Sequence, residues 1–253
     1  MASSIQSMIP RLGSEDPAEA FKACREIEKI ATASTAPGKD ADRAELAAAL
    51  AAELLVQTPA TRDAKGKDVP PAPKHSATVR NQVCRLLAIV SGAKEVPALL
   101  KAIEDLQVRE EARRTLDRNR SDEATDALIE AIQAVGAEFR VGVVNSLGKR
   151  QDDKVVTALT KVATSDEDPE LRINAVEALA NIPSPANAET ILKATQCPNA
   201  CHATRAWKAA VRLAENLRNA GRKNEALDLY RKIRSSGPEA QQAAARIGRE
   251  TLR

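Results

Sequence analysis

Cys197-Pro-Asn-Ala-Cys201-His202 is the one stretch of this chain whose residue types and spacing suggest chemistry. Two thiols and an imidazole so close together could ligate a metal, close a disulfide between Cys197 and Cys201, or attach a haem. The usual c-type haem attachment, C-x-x-C-H, has one residue fewer between its cysteines. A structural zinc site needs four ligands, and the other candidates, Cys24, Cys84 and His75, lie far off in sequence. A haem also needs an apolar pocket, whereas this neighbourhood is polar. The expectation is two cysteines in a turn and no resident cofactor. A redox, metal or haem-associated module at Cys197, Cys201 and His202 is kept as an alternative.

Catalysis finds little else to work with. No glycine-rich phosphate loop, nucleophile elbow or histidine-based metal motif is present. With two histidines in the chain, acid–base work would fall to carboxylates. The adjacent pairs Glu110-Glu111 and Asp152-Asp153 point apart on a helix or turn, so they read as a solvated face and a cap. The sequence therefore points away from an enzyme.

The elements that would position any site announce themselves by repetition. Val79-Arg80, Val108-Arg109, Phe139-Arg140 and Leu171-Arg172 form one column, and Leu99, Leu128, Leu159 and Ile191 another. Both columns advance by 29, 31 and 32 residues. Two patterns that lengthen together are one structural unit copied along the chain, and such a chain stacks into a solenoid. Aromatic residues make up 2% of the chain, while Ala and Leu supply the apolar share. That composition suits close helix packing and lacks the aromatic and β-branched enrichment of sheets.

The clearest unit spans residues 166–195. Asp168 reads as an N-cap with Pro169 at the first helical position. Leu171, Ala175, Val176 and Leu179 follow at helical spacing, Pro183-Ser184-Pro185 breaks the helix, and a second helix carries Ile191 and Leu192. Residues 200–253 hold 12 basic and 5 acidic side chains against a net charge of +3 for the whole chain. Long loops are expected at Thr32–Asp42 and at Gln57–His75. The latter is rich in proline and carries four basic residues, with disorder the first expectation.

Asp168-Pro-Glu-Leu-Arg-Ile-Asn-Ala-Val-Glu-Ala-Leu resembles the start of a HEAT repeat, of the short subtype also seen in phycobilisome-lyase-like proteins. Ala93-Lys-Glu-Val-Pro-Ala-Leu-Leu-Lys-Ala-Ile resembles its turn and second helix. The resemblance covers residues 76–196 well. Further on, Ala210, Leu213, Ala214, Leu217, Ala226, Tyr230, Ile233 and Pro238 resemble the signature positions of one tetratricopeptide repeat, with Ala210 where that family has Trp.

The expected fold is thus an all-α, right-handed α-solenoid, an α-α superhelix of about five HEAT-like helix pairs with a tetratricopeptide-like cap. Its expected parts are an atypical N-terminal capping repeat with long loops over 1–75, HEAT-like repeats over 76–199 and a basic cap over 200–253. The resemblance implies that Arg80, Arg109, Arg140 and Arg172 form an internal ladder between repeats. It also implies that second helices line a concave surface, so Lys101, Glu130, Lys161 and Lys193 are the candidate groove residues.

The function expected of such a chain is a non-enzymatic scaffold whose concave groove takes a protein or peptide. Nucleic acid is not the expected partner, because the groove column mixes signs and a phosphate backbone wants basic groups in a row. Anion or nucleic-acid binding through the basic C-terminal segment remains the alternative. No apolar run is long enough for a membrane span, and the first residues lack the pattern of a signal peptide. The cytoplasm is the expected location.

Overall fold

A computed structural model describes residues 2–65 and 67–251. The chain divides into two compact units, Met1–Val135 and Gly136–Arg253. Each is built from helix pairs that bury one apolar stripe per helix.

In the first unit, α1 (Ala2–Met8) and a 3-10 turn (Ile9–Gly13) precede α2 (Pro17–Ser34) and α3 (Asp40–Leu55). A hairpin of β1 (Thr61–Arg62) and β2 (Asp68–Val69) follows. The pairs α4 (Ala77–Val90) with α5 (Val96–Ile103), and α6 (Arg109–Arg118) with α7 (Asp122–Ala134), complete it. The first helices α2, α4 and α6 pack side by side, as do the second helices α3, α5 and α7. Two helical layers result, and the core lies between them. Val79, Val83, Leu87, Leu99, Val108 and Leu128 are all buried there.

The second unit pairs α8 (Ala137–Leu147) with α9 (Asp153–Ser165), α10 (Pro169–Asn181) with α11 (Asn187–Ala194), and α12 (Ala200–Asn219) with α13 (Lys223–Ser236). It closes on α14 (Glu239–Glu250). The layers repeat: α8, α10, α12 and α14 neighbour one another in order, and α9 packs on α11. Leu159, Ile191, Leu213 and Tyr230 are fully or almost fully buried. Helix starts follow the local sequence. Asp152, Asp168 and Asn199 each cap a helix by accepting a backbone N–H two or three residues ahead.

Two sequence expectations are corrected. Thr32–Asp42 is mostly helix, because α2 runs on to Ser34 and α3 begins at Asp40. Ala31 and Ala33 favour continuation of α2, and Asp40 and Asp42 suit the first turn of α3. Gly38, at φ +80°, makes the short turn between them. The described residues of Gln57–His75 are also folded. Thr61 pairs with Val69 and Arg62 with Asp68, while Gln57 bridges Pro73 at the base. The Asp63 carboxylate accepts the N–H groups of Lys65 and Lys67 at 2.8 and 2.9 Å, which holds the tip. Every described residue from Gln57 to Lys74 is exposed, so the hairpin is an exception to the all-α architecture and adds little to the core.

Candidate functional site

The arginine column is tied into the stack. In the first unit Arg80, only 6% exposed, donates from Nε to the His75 carbonyl at 3.2 Å and from Nη1 to Asp105 at 2.6 Å. In the second unit Arg140 makes a two-pronged pair with Asp166, one arm at 3.2 Å. Arg172 donates from Nη1 to the Asp166 carbonyl at 2.5 Å. Arg109 is half-buried at the first position of α6. Asp105 and Asp166 occupy equivalent places. Each stands in the turn before the next first helix, and each also accepts a backbone N–H two residues on, from Gln107 at 2.9 Å and Asp168 at 3.1 Å. An arginine thus joins the first helix of one repeat to the entry turn of the next.

These contacts set the acidity of both carboxyls. Partial burial pushes Asp166 up, but the Arg140 hydrogen bond, the Asp168 N–H and the charges of Arg140 and Arg172 outweigh it and hold it below the usual range. Asp105 is lowered likewise against its own burial, by Arg80 and the Gln107 N–H. A carboxyl that titrates lower when folded adds stability that is present above its unfolded value and is lost as pH falls through the folded one. The expected loss therefore begins below about pH 4. Arg140→Gln should raise the Asp166 pKa, read from the pH dependence of its carboxyl carbon by NMR, and leave Asp105 unmoved. A value for Asp166 unchanged in the variant would mean that the pair does not form in solution.

The groove column sits differently. Lys101, Glu130, Lys161 and Lys193 are all exposed. Each stands two residues after a buried Leu or Ile, on the far side of its helix from the core. Lys101 and Glu130 belong to the first unit, Lys161 and Lys193 to the second. Lys101 pairs with Glu104, the residue that caps the end of α5, and Lys193 with Glu189 at 2.7 Å within α11. Lys101 also lines a cleft of about 280 Å³ with Leu54, Leu55, Pro73, Arg80 and Asp105. A buried pair, His75 Nε2 with Glu53 at 2.7 Å, anchors the hairpin close by. Sequence reading passed it over because the two residues lie 22 apart.

Cys197 and Cys201 are free thiols, half-buried and exposed respectively. The Cys197 thiol donates to the Asn199 carbonyl at 3.4 Å. His202 turns away from them and meets Glu170 on α10 at 3.1 Å. Glu170 also receives Arg205, whose other arm reaches Glu177 at 2.6 Å. Arg205, chiefly through Glu177, has its pKa raised, and Glu170, chiefly through Arg205, has its pKa lowered. The imidazole is therefore part of an α10–α12 ion-pair cluster. Among the described residues no three His, Cys, Asp or Glu side chains are placed to hold a metal ion. Glu110 pairs with Arg113 and Arg114, Glu111 with Arg85 and Arg114, and Asp152 caps α9.

A family model described as HEAT repeats matches residues 96–180 and again 126–210. Residues 96–210 carry HEAT repeats. Some solved structures are similar at low identity. Human deoxyhypusine hydroxylase in complex with glycerol is 17% identical, with 84% of this chain and 96% of that one covered and a TM-score of 0.43. The complex of CpcE and CpcF of phycocyanin lyase from Nostoc sp. PCC7120 is 18% identical, with 98% and 94% covered and a TM-score of 0.43. A designed armadillo repeat protein in complex with the peptide (KR)4 is 19% identical, with 98% and 99% covered and a TM-score of 0.33. Likeness at this level concerns the fold alone. No curated protein matches the chain. No helix among the described residues is long and apolar enough to cross a membrane.

Proposed function

We propose that this HEAT-repeat chain is a non-enzymatic scaffold that offers the second-helix face of its repeats to a protein or peptide partner. One contrast carries the reading. The polar residues repeated on the first helices are spent inside the stack: Arg80 and Arg140 bond to the next repeat, and Arg172 holds the entry turn of its own helix. Those repeated on the second helices stay exposed and make at most a pair with a residue three or four positions away. Exposed pairs of that kind are worth well under about 1 kcal/mol, so a partner can exchange them at little cost. Repeat surfaces gain affinity by adding many such modest contacts. The reading includes a cytoplasmic setting, which suits four cysteines that are all free thiols.

The test uses charge reversal unit by unit. Lys101→Glu in the first unit and Lys161→Glu/Lys193→Glu in the second should each weaken binding of a partner first captured by the wild type and then purified. Far-ultraviolet circular dichroism should stay unchanged. Binding that survives both reversals would remove the second-helix face from consideration. Recovery of nucleic acid that vanishes with salt would instead favour the basic segment 200–253.

A further inference from the structure

The exposed column has a fifth member that links it to charge. In α9, α11 and α13 the buried Leu159, Ile191 and Tyr230 are each followed, two residues later, by an exposed lysine: Lys161, Lys193 and Lys232. Two residues is roughly 200° of helix turn, so all three point away from the core. Helices α11 and α13 both pack on α12, and Glu189 on α11 pairs with Lys193 at 2.7 Å. Its carboxyl is held below the usual range first by the Lys193 hydrogen bond and charge, and further by the charge of Lys232 on α13. The packing of α9 on α11 brings in Lys161. Lys161 and Lys232 have no ion-pair partner among the described residues, so the face holds unneutralised positive charge on both sides of Lys193.

We propose that this face of the second unit binds an extended acidic peptide segment, with one carboxylate for each of Lys161, Lys193 and Lys232. The assignment rests on the scaffold reading and narrows its partner. Packed helices stand about 8–10 Å apart. A polyproline II chain brings every third side chain to the same face at intervals of about 9 Å. A segment with Asp or Glu at every third position therefore meets Lys161 and Lys193 on the packed pair α9 and α11, with its next carboxylate directed at Lys232 on α13. The long lysine stems absorb the remaining misfit.

A peptide fits better than a nucleic acid. Glu189, Asp153 and Asp228, the last paired with Arg231 at 2.8 Å, stand among the basic residues of these helices. A continuous phosphate chain would run against them, whereas spaced carboxylates pass between. Phe139, Trp207 and Tyr230, the aromatic residues of this unit, are all buried and offer no stacking platform.

The experiment is fluorescence anisotropy on the full chain. The probe is a fluorescein-labelled peptide of repeated Glu-Pro-Pro units, in about 150 mM salt. Saturable binding is expected, about tenfold weaker in Lys161→Gln/Lys193→Gln/Lys232→Gln. A control, Lys208→Gln/Arg222→Gln/Arg246→Gln, removes the same charge elsewhere in the unit and should stay within about twofold of wild type. A peptide of the same composition with its glutamates contiguous should bind more weakly. Absence of binding by the spaced peptide, equal loss in both triple variants, or tighter binding of the contiguous peptide or of an oligothymidylate would each overturn the assignment. If it fails while Lys161→Glu/Lys193→Glu still abolishes capture of a purified partner, the acidic peptide is wrong and the scaffold reading stands. If the reversal leaves that capture intact, the scaffold reading falls as well.

Discussion

Arg80→Leu is expected to destabilise the first unit by about 2–3 kcal/mol, with its unfolding midpoint falling by several degrees. The leucine keeps most of the aliphatic packing, so the loss is that of the guanidinium. Its removal strands two acceptors, the His75 carbonyl and the Asp105 carboxylate. Breaking a fully buried pair typically costs more, but the Asp105 side chain is 32% exposed and water restores part of its solvation. Arg172→Leu is the comparison. Its acceptors, the Asp166 and Glu167 carbonyls, are backbone groups and its side chain is only half-buried, so about 1 kcal/mol is expected.

The double variant Arg80→Leu/Asp105→Asn separates charge from packing. Asparagine still accepts the Gln107 N–H through its side-chain oxygen, yet leaves no unpaired charge behind. A substantial part of the loss should therefore return, seen as coupling in a thermal or urea denaturation cycle. Should Arg80→Leu leave stability untouched and instead abolish partner binding, the arginine column would be a docking surface rather than an internal ladder.

The parts of this arrangement legible in the sequence were those that bury an apolar side chain at a steady period. Leu99, Leu128, Leu159 and Ile191 are all fully buried, which fixes both the helix pairs and the outward direction of the residue two places on. The acceptors of the ladder were not legible. Asp105 stands four residues before Arg109 and Asp166 six before Arg172, so unequal turns conceal two equivalent aspartates. Lys232 was hidden for a similar reason. The step from Lys193 is 39 residues, because α12 runs to 20 residues where α10 has 13. Once Tyr230 is seen to fill the place of Leu159 and Ile191, the lysine falls into line. The hairpin escaped because strands of two residues show no alternation, and prolines around them hide the pairing. Turns and unequal helix lengths are decided by local backbone geometry, which hydrophobic periodicity does not encode.

Gly148→Ala should lower the stability of the second unit by about 2 kcal/mol and should also weaken peptide binding without altering any charge. Gly148 ends α8 where that helix touches α10. A Cβ there would lie 2.8 Å from the Ala178 Cβ, 2.9 Å from its Cα and 3.2 Å from its carbonyl oxygen. Comfortable carbon contacts lie near 3.5–4.0 Å. No rotamer change relieves the clash, since every atom involved is backbone or Cβ. The helices must part by a fraction of an ångström to about one ångström instead, and the added alanine gives back only a few tenths of a kcal/mol in local propensity. Ala178→Gly should rescue the variant only partly, because the Cα and carbonyl contacts persist. Separation of α8 from α10 is transmitted to their partners α9 and α11, and so to the spacing between Lys161 and Lys193. The affinity for the spaced Glu-Pro-Pro peptide should therefore fall in Gly148→Ala even well below its unfolding temperature, while the contiguous-glutamate peptide, which depends on charge alone, should be little changed. Equal weakening of both peptides would show that register plays no part in recognition, and that the lysines act only through their summed charge.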